Sequence, residues 1–334
     1  MKLRKLICIT LVFAMLFGLT ACSSSNDSTD ESADKKESVN GDVNGDGEIV
    51  IGYIAKNTTD PQPSTINSSA QEQLDKLKAD GVIDDWTGIM DGLSDAAKQV
   101  DLAQDCIAQG CDYVIITPAE SVASDPAVTN MVDAGVKVVV INARTDSTSD
   151  VAMTFCGSDD VYAGELMADY INKKLPNGGK YLHCQGVIGN SAQIQRGEGI
   201  LNKINDNFEN VAEVPCEWSG EKAVNATSDA LAQYGDELVA IICDNDDMSS
   251  AAQQTCNEAG RNDIVCIGVD GNAGAMGMIK DGTLGATVLQ DSIGQITAGI
   301  DAIVKDIKGE TVEKEYLVPF VLVDSKNIAE YATE

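Results

Sequence analysis

The residues able to do chemistry gather where apolar runs stop. Ile241-Ile242-Cys243 leads straight into Asp244-Asn245-Asp246-Asp247, and about twenty residues on, Ile264-Val265-Cys266-Ile267-Gly268-Val269 ends on Asp270. An ionised carboxylate only accepts hydrogen bonds, whereas an Asn amide both donates and accepts. Asn245, Asp246 and Asp270 together therefore suit hydroxyl groups, which do both. Asp246 and Asp247 also fit the first turn of the helical pattern that follows, so Asn245 is the expected contact and Asp246 stands open between contact and cap. Catalytic constellations are missing: the chain has one histidine and no HExxH, GxSxG or Walker sequence. That histidine, His183, lies mid-strand between Leu182 and Cys184 and is expected to pack. No enzyme activity, metal or cofactor is expected.

Such residues need strands to hold them at their carboxyl ends, the place where ligands bind in open parallel sheets. From Glu48 the pattern is regular. Ile49 to Ala55 reads as a strand, and Ile66, Ala70, Leu74 and Leu77 recur at helical spacing. A weaker strand over Trp86 to Met90 precedes a helix opened by Asp95 and closed by Gly110. Tyr113 to Ile116 is a strand ending at Thr117-Pro118, Asp125-Pro126 reads as an N-cap with Pro at the first helical position, and Val136 to Ile141 is a buried strand stopping at Asn142. After Ser158 the alternation restarts, with strands at Tyr181 to Gln185, Val211 to Cys216, Leu238 to Cys243, Ile264 to Val269 and Ala286 to Leu289. Helices are expected between them, then a last helix over Ile293 to Lys308 and a tail with Tyr316 to Val323. The fold class is α/β, with two doubly wound parallel-sheet domains and a cleft between them.

Composition bounds the partners. A formal charge of -30 over 334 residues argues against nucleic acid or anionic lipid as a partner. Residues 1–21 read as a secretory signal: Lys2, Arg4 and Lys5 precede an apolar run from Leu6 to Leu19 whose 14 residues are too few to span a bilayer comfortably. Residues 22–47 read as a disordered tether, rich in Ser, Asn, Asp, Glu and Gly. Inside it, Asp42-Val43-Asn44-Gly45-Asp46-Gly47 copies the first half of an EF-hand calcium loop, but the twelfth position is Tyr53 instead of an acidic residue. Of ten cysteines, Cys8 falls in the signal and eight lie beyond Cys22 without a CxxC pair, so they are expected to act as small apolar side chains.

Several motifs together carry a resemblance. Leu19-Thr20-Ala21-Cys22 resembles a bacterial lipobox, which implies a lipid on Cys22 and attachment to the outer face of the cytoplasmic membrane. Gly110 to Pro118, Gly157-Ser158-Asp159, Gln185-Gly186 through Ser191 to Arg196-Gly197-Glu198-Gly199, Asn245 to Met248 and Gly268-Val269-Asp270-Gly271 resemble the ribose- and galactose-binding branch of the type I periplasmic binding proteins. The resemblance implies a solute receptor, monomeric, that closes two domains on a monosaccharide and delivers it to the permease subunits of an ABC transporter. It also implies three chain crossings, near Ser158, Gln290 and Val312. The N-terminal domain would take residues 48–157 plus 291–312, and the C-terminal domain 158–290 plus 313–334.

Carried over position by position, the family's ligand contacts fall on Asp60, Thr117, Asn142, Ser158, Arg196, Trp218, Asn245, Asp270 and Gln290. Trp218 would stack on the C–H face of a sugar ring. Two places depart from the family. An Asn-Pro-Phe-Phe-like loop is replaced by Asp60-Pro61-Gln62-Pro63, so Gln62 is expected to hydrogen-bond where an aromatic clamp would stand; and Asn142-Ala143-Arg144 replaces Asp-Arg, displacing the arginine to Arg144. A more polar wall fits a hexose or an inositol at least as well as a pentose. Asp95, Asp125 and Asp159 are expected as helix caps, and Trp86 as core. Two non-transport readings compete. A lactose-repressor-type regulator needs a basic helix-turn-helix where this chain has an acidic tether. A surface sensor feeding a chemoreceptor or kinase shares every motif above.

Overall fold

The computed structural model describes residues 40–331. The signal-like segment, Cys22 and the tether up to residue 39 lie outside the described residues. In chain order the strands are β1 (Val50–Ala55), β2 (Asp85–Asp91), β3 (Tyr113–Ile116), β4 (Lys137–Asn142), β5 (Thr154–Gly157), β6 (Gly179–Gln185), β7 (Phe208–Pro215), β8 (Leu238–Cys243), β9 (Val265–Asp270), β10 (Ala286–Leu289), β11 (Glu315–Leu317) and β12 (Val321–Asp324). They form two six-stranded sheets, ordered β11-β5-β4-β3-β1-β2 and β12-β10-β9-β8-β6-β7. Every pairing is parallel except that of β12 with β10. Strand β5 was not legible beforehand, because four residues that include Gly157 give no periodicity to read.

Helices cover both faces of each sheet. On the first lobe they are α1 (Pro61–Ala79), α2 (Ala96–Ala108), α3 (Asp125–Asp133) and α4 (Thr148–Val151); on the second, α5 (Asp160–Lys174), α6 (Ser191–Lys203), α7 (Gly220–Tyr234), α8 (Asp246–Glu258) and α9 (Ala273–Lys280). Helix α10 (Ser292–Ile307) returns to the first lobe, where Ile296, Ile300 and Ile303 pack with Ile51, Tyr53 and Leu74. Across the same sheet Ile54, Val114 and Val140 meet Leu102, Val128 and Met131. The second lobe repeats the arrangement: Tyr181, Ile242 and Val288 pack under α5 and α6, and Leu182, Cys243 and Cys266 under the opposite helices. Because the central strands are buried on both faces, they read as unbroken apolar runs. All eight described cysteines are free and buried, and Cys184 and Cys243 are register partners on β6 and β8.

Three details differ from expectation. The chain crosses between lobes after β5, after β10 and again between β11 and β12, so the third crossing lies at 318–320 and not near Val312. Residues 315–317 therefore belong to the first sheet: Glu315, Tyr316 and Leu317 pair in parallel register with Phe155, Cys156 and Gly157, and only then does Pro319 break the extended run. Asp125 does not cap α3; its carboxylate accepts from the Ser147 amide (2.9 Å) and hydroxyl (2.6 Å) in the neighbouring loop. Asp95 and Asp159 do cap α2 and α5. Trp86 is half-buried and donates to Asp75 (2.9 Å).

The third detail concerns the tether. Its last residues, 40–47, are not loose: they dock on the first lobe through Asp112, which is wholly buried. One Asp112 oxygen accepts from the amides of Val43 (2.7 Å) and Asn44 (3.2 Å), the other from Val50 (2.9 Å) on β1. Asp42 spends both of its oxygens on the Gly45 and Gly47 amides of its own loop. Backbone hydrogen bonds, invisible to hydrophobic patterning, order this polar stretch. Asp112→Ala removes an acceptor shared by three amides and is expected to cost about 1–3 kcal/mol. Chemical denaturation checks the cost, and limited proteolysis should show new cleavage within residues 40–47.

Candidate ligand-binding site

The carboxyl ends of both sheets face one cleft between the lobes. From the first lobe it is lined by Lys56, by the loop Asp60-Pro61-Gln62-Pro63 that opens α1, and by Asn142 at the end of β4. The second lobe supplies Asn190, Ala192 and Arg196 from the start of α6, Trp218 after β7, Asn245 and Asp247 at the start of α8, and Asp270 at the end of β9. Gln290, at the second crossing, closes the back. The lobes meet at the rim: the Ser121 amide donates to the Gly189 carbonyl (2.9 Å), Asn190 Nδ2 to the Ala119 carbonyl (2.8 Å), and the Arg144 amide to Ser191 Oγ (2.8 Å). This is a closed arrangement.

Backbone strain marks the same places. Asn142 (φ 67°), Trp218 (φ 65°), its neighbour Glu217 (φ 53°) and Asp270 (φ 139°) all sit on the side of conformational space that favours glycine. Each costs of order 1–3 kcal/mol, and such residues cluster where side chains must be aimed for function. Strand ends do the aiming here, since the sheet fixes the backbone up to the residue before.

Arg196 is the best-held of these groups. It is 3% exposed, its Nε donates to Asp160 Oδ1 (2.8 Å) and its Nη1 to the Asp244 carbonyl. Two glycines let α5 and α6 approach closely enough for that pair: a Cβ on Gly164 would lie 2.1 Å from the Arg196 carbonyl, and one on Gly199 2.0 Å from the Val161 carbonyl. Trp218 lies flat on Gly186, where a Cβ would stand 2.1 Å from the indole Cη2. Over the ring sit the Lys56 ammonium, 5.0 Å from its centroid, and the Arg196 guanidinium at 6.0 Å. The indole is thus first a platform for cations.

Burial shapes the electrostatics. It pulls the Lys56 ammonium down to a pKa of about 8 against the opposing pull of Asp60 and Asp270. Burial raises Asp270 well above the usual carboxylate range, and the neighbouring Asp246 charge adds to that. Asp247 is raised too, by burial and by Asp60 across the cleft. Among the residues lining the cleft, two buried donors, Trp218 Nε1 and Gln290 Nε2, have no acceptor. An uncharged molecule carrying several hydroxyls suits the charged groups of this lining, donating to the carboxylates and accepting from the ammonium.

Of the residues carried over by resemblance or departure, Asp60, Gln62, Asn142, Arg196, Trp218, Asn245, Asp270 and Gln290 line the cleft. Three do not. The Arg144 guanidinium stacks 3.6 Å from the centre of Phe155 and pairs with Glu315 on β11, which draws it to the sheet edge. Thr117 is buried behind the wall, its amide bonded to Ile54 and its carbonyl taken by Gln99. Ser158 serves the crossings: its hydroxyl donates to the Val318 carbonyl (2.6 Å) and accepts from Gln295 (2.7 Å). Asn245 and Asp247 exchange emphasis. Asn245 caps α8 through the Met248 amide, Asp246 is sealed against Thr287, Gly271 and Asn272, and Asp247, passed over as a cap, faces the cleft. Lys56 and Asn190 were also missed. The first follows the apolar run Ile51 to Ala55 directly, and that place at a strand end was the available signal.

Residues 51–311 match a family model described as a periplasmic binding protein domain. The chain belongs to this family. A ribose import binding protein of Salmonella typhimurium is 30% identical over 276 residues, which cover 82% of this chain and 90% of that one. A xylitol-binding protein of Mycolicibacterium smegmatis is 29% identical over 272 residues, 80% of this chain and 76% of the other. Among solved structures, an ABC transporter solute binding protein of Bacillus halodurans with bound myo-inositol superposes with a TM-score of 0.79 at 26% identity, covering 85% of this chain and 97% of that one. Periplasmic binding proteins are solute receptors and not enzymes.

Within this periplasmic binding protein the Gly186–Trp218 contact sets the second wall. Gly186→Ala pushes the indole out, and overpacking of this kind costs about 1–3 kcal/mol. The expected outcome is a shifted Trp218 fluorescence emission and a lower melting temperature, read against a Trp86→Phe background so that one indole reports.

Proposed function

We propose that this chain captures a monosaccharide or related polyol, a hexose, pentose or inositol, and delivers it to the permease subunits of an ABC transporter. The observation that carries the reading is the cleft itself: three carboxylates, a guanidinium, an ammonium and several amides converge on it from both lobes. Relatives that bind ribose, xylitol and myo-inositol support the ligand class. Capture works by closure. Asp60, Gln62 and Asn142 belong to one lobe and Arg196, Asp247 and Asp270 to the other, so a ligand that contacts both stabilises the closed state by its differential affinity. Four or five charge-assisted hydrogen bonds of about 1.5–3 kcal/mol, less the ordering costs, give micromolar affinity near −8 kcal/mol.

The polar Asp60-Pro61-Gln62-Pro63 loop supports a fully hydroxylated ring, a hexose or inositol, over ribose. Lipidation of Cys22, carriage as a monomer on the outer face of the cytoplasmic membrane, and removal of residues 1–21 complete the proposal. A thermal-shift panel of hexoses, D-ribose, xylitol and myo-inositol tests it, since a ligand at a hundred times its Kd adds about 2.7 kcal/mol of stability. Tightest binding to ribose would remove the hexose and inositol preference, and no response to any member would remove the ligand class. Asp270→Ala is expected to abolish the response while the ligand-free protein remains folded; unchanged affinity by calorimetry takes Asp270 out of the site.

A further inference from the structure

Behind the second wall of the cleft runs a line of buried charge that does not itself line the cavity. His183, on β6, is 2% exposed, and its Nε2 lies 2.8 Å from Asp244 Oδ1. Asp244 is wholly buried; its other carboxylate oxygen accepts from the Gly186 amide (2.8 Å), and its carbonyl accepts from Arg196 Nη1. Gly186 is the residue on which Trp218 lies. The imidazole also faces the middle of α6, where a Cβ on Gly197 would stand 3.7 Å from its Cε1. Asp244 thus joins the histidine, through its carboxylate, to the seat of the indole and, through its main-chain carbonyl, to the guanidinium.

We propose that His183 is a positioning residue for ligand capture, its imidazolium holding Asp244 so that Asp244 in turn fixes the Gly186 turn beneath Trp218 and the guanidinium of Arg196. This rests on the reading of the cleft as the ligand site. The charged and titratable groups around the imidazole are Asp244 at the end of β8, Glu213 on β7 with Oε1 3.9 Å from Nδ1, Tyr181 on the same face of β6, and Arg196 and Asp160 on α6 and α5. His183 and Arg196 are the cations of the buried set, and Asp160 and Asp244 its anions. Loss of the imidazolium leaves one guanidinium between two buried carboxylates, a state in which an unpaired charge draws its neighbours toward itself. Arg196 then turns from the cleft toward Asp244.

The protonation range fits this role. Burial pulls the imidazole pKa down, but the Asp244 charge and hydrogen bond, joined by Glu213, outweigh it and push the value up to about 9 from 6.5. Because folding raises the pKa, the stability His183 contributes is complete below the ordinary histidine range and is lost as pH climbs through about 9. At neutral pH the positioning charge is in place.

His183 is the one histidine and Trp218 one of two tryptophans in the chain, so both side chains can be followed by NMR in the intact protein. A titration without added sugar is expected to show the imidazole changing state near pH 9, with the Trp218 indole N–H resonance moving on the same curve. In His183→Gln the indole resonance is expected to be displaced at pH 7 and to have lost that inflection. By calorimetry at pH 7, myo-inositol and D-ribose should bind this variant about two- to thirtyfold more weakly. The gap should narrow above pH 9, where the parent protein loses its own imidazolium; Lys56, whose ammonium burial pulls down to about 8, is present in both proteins. An imidazole that titrates below pH 7, or a variant that melts lower with an unmoved indole resonance and unchanged affinities, overturns the proposal. Failure of both sugars to bind the parent protein counts against the receptor reading alone, because the NMR titration judges the positioning role without a ligand.

Discussion

A guanidinium can be buried among aliphatic side chains only if its charge is met and its donors are occupied. Arg196 satisfies that condition in one way: the Asp160 carboxylate takes Nε and the Asp244 carbonyl takes Nη1. Meeting those partners requires α5 and α6 to touch, and Gly164 and Gly199 remove the side chains that would hold them apart. It also requires the turn after β8 to present a carbonyl and not a side chain toward α6. Once the guanidinium is fixed, Trp218 beside it and Asp270 within reach of its field have fixed surroundings. The second wall of the cleft is a consequence of how one cation is housed.

The first wall has a different origin. Lys56, Asn142 and the Asp60 loop are placed by the ends of β1 and β4 and by the start of α1, with no comparable buried ion pair behind them. Hydrogen bonds within the loop do the work: Asn57 accepts from the Asp60 amide and donates to its carboxylate, and Asn67 on α1 donates back to the Asn57 carbonyl. Gln62 reaches Ser292 on α10 (3.2 Å), which ties the loop to the second crossing. One wall is held around a buried ion pair and the other by side-chain hydrogen bonds of its own loop.

How much of this was legible follows from which forces leave a trace in sequence. Burial on both faces writes itself as apolar runs, so the central strands and most of the strand-end residues were readable, Asp270 and Asn245 among them. Pairing between distant segments leaves no such trace. The short strands β5 and β11 find each other across about 160 residues, which is why the third crossing was misplaced, and Arg144 was drawn out of the expected site by Phe155 and Glu315, neither of which is near it in sequence. The Asn245 and Asp247 exchange shows the same limit at short range. Composition told that a carboxylate and an amide open α8, but only the helix start decides which oxygen serves the Met248 amide and which side chain is free to face the cleft.

Closure brings like charges together, and that is what makes the bound molecule part of the structure's balance. Asp60 approaches Asp247 from the opposite lobe, and Asp270 stands near both Asp246 and Asp247. Lys56 sits among them on the face of the indole, and it is the first lobe's cation in the cleft against that lobe's single carboxylate there. Drawing such a set out of water weakens the charged form of every member, which is the direction in which Lys56, Asp247 and Asp270 are all shifted. A hydroxyl placed between two carboxylates donates to one and carries its oxygen toward an ammonium or an amide, so a ring of hydroxyls replaces the lost hydration one group at a time. The strained backbone at Asn142, Trp218 and Asp270 aims those groups before anything arrives. The energetic cost of the shut cleft is therefore met by the molecule it encloses, and the lobes have reason to part when that molecule leaves.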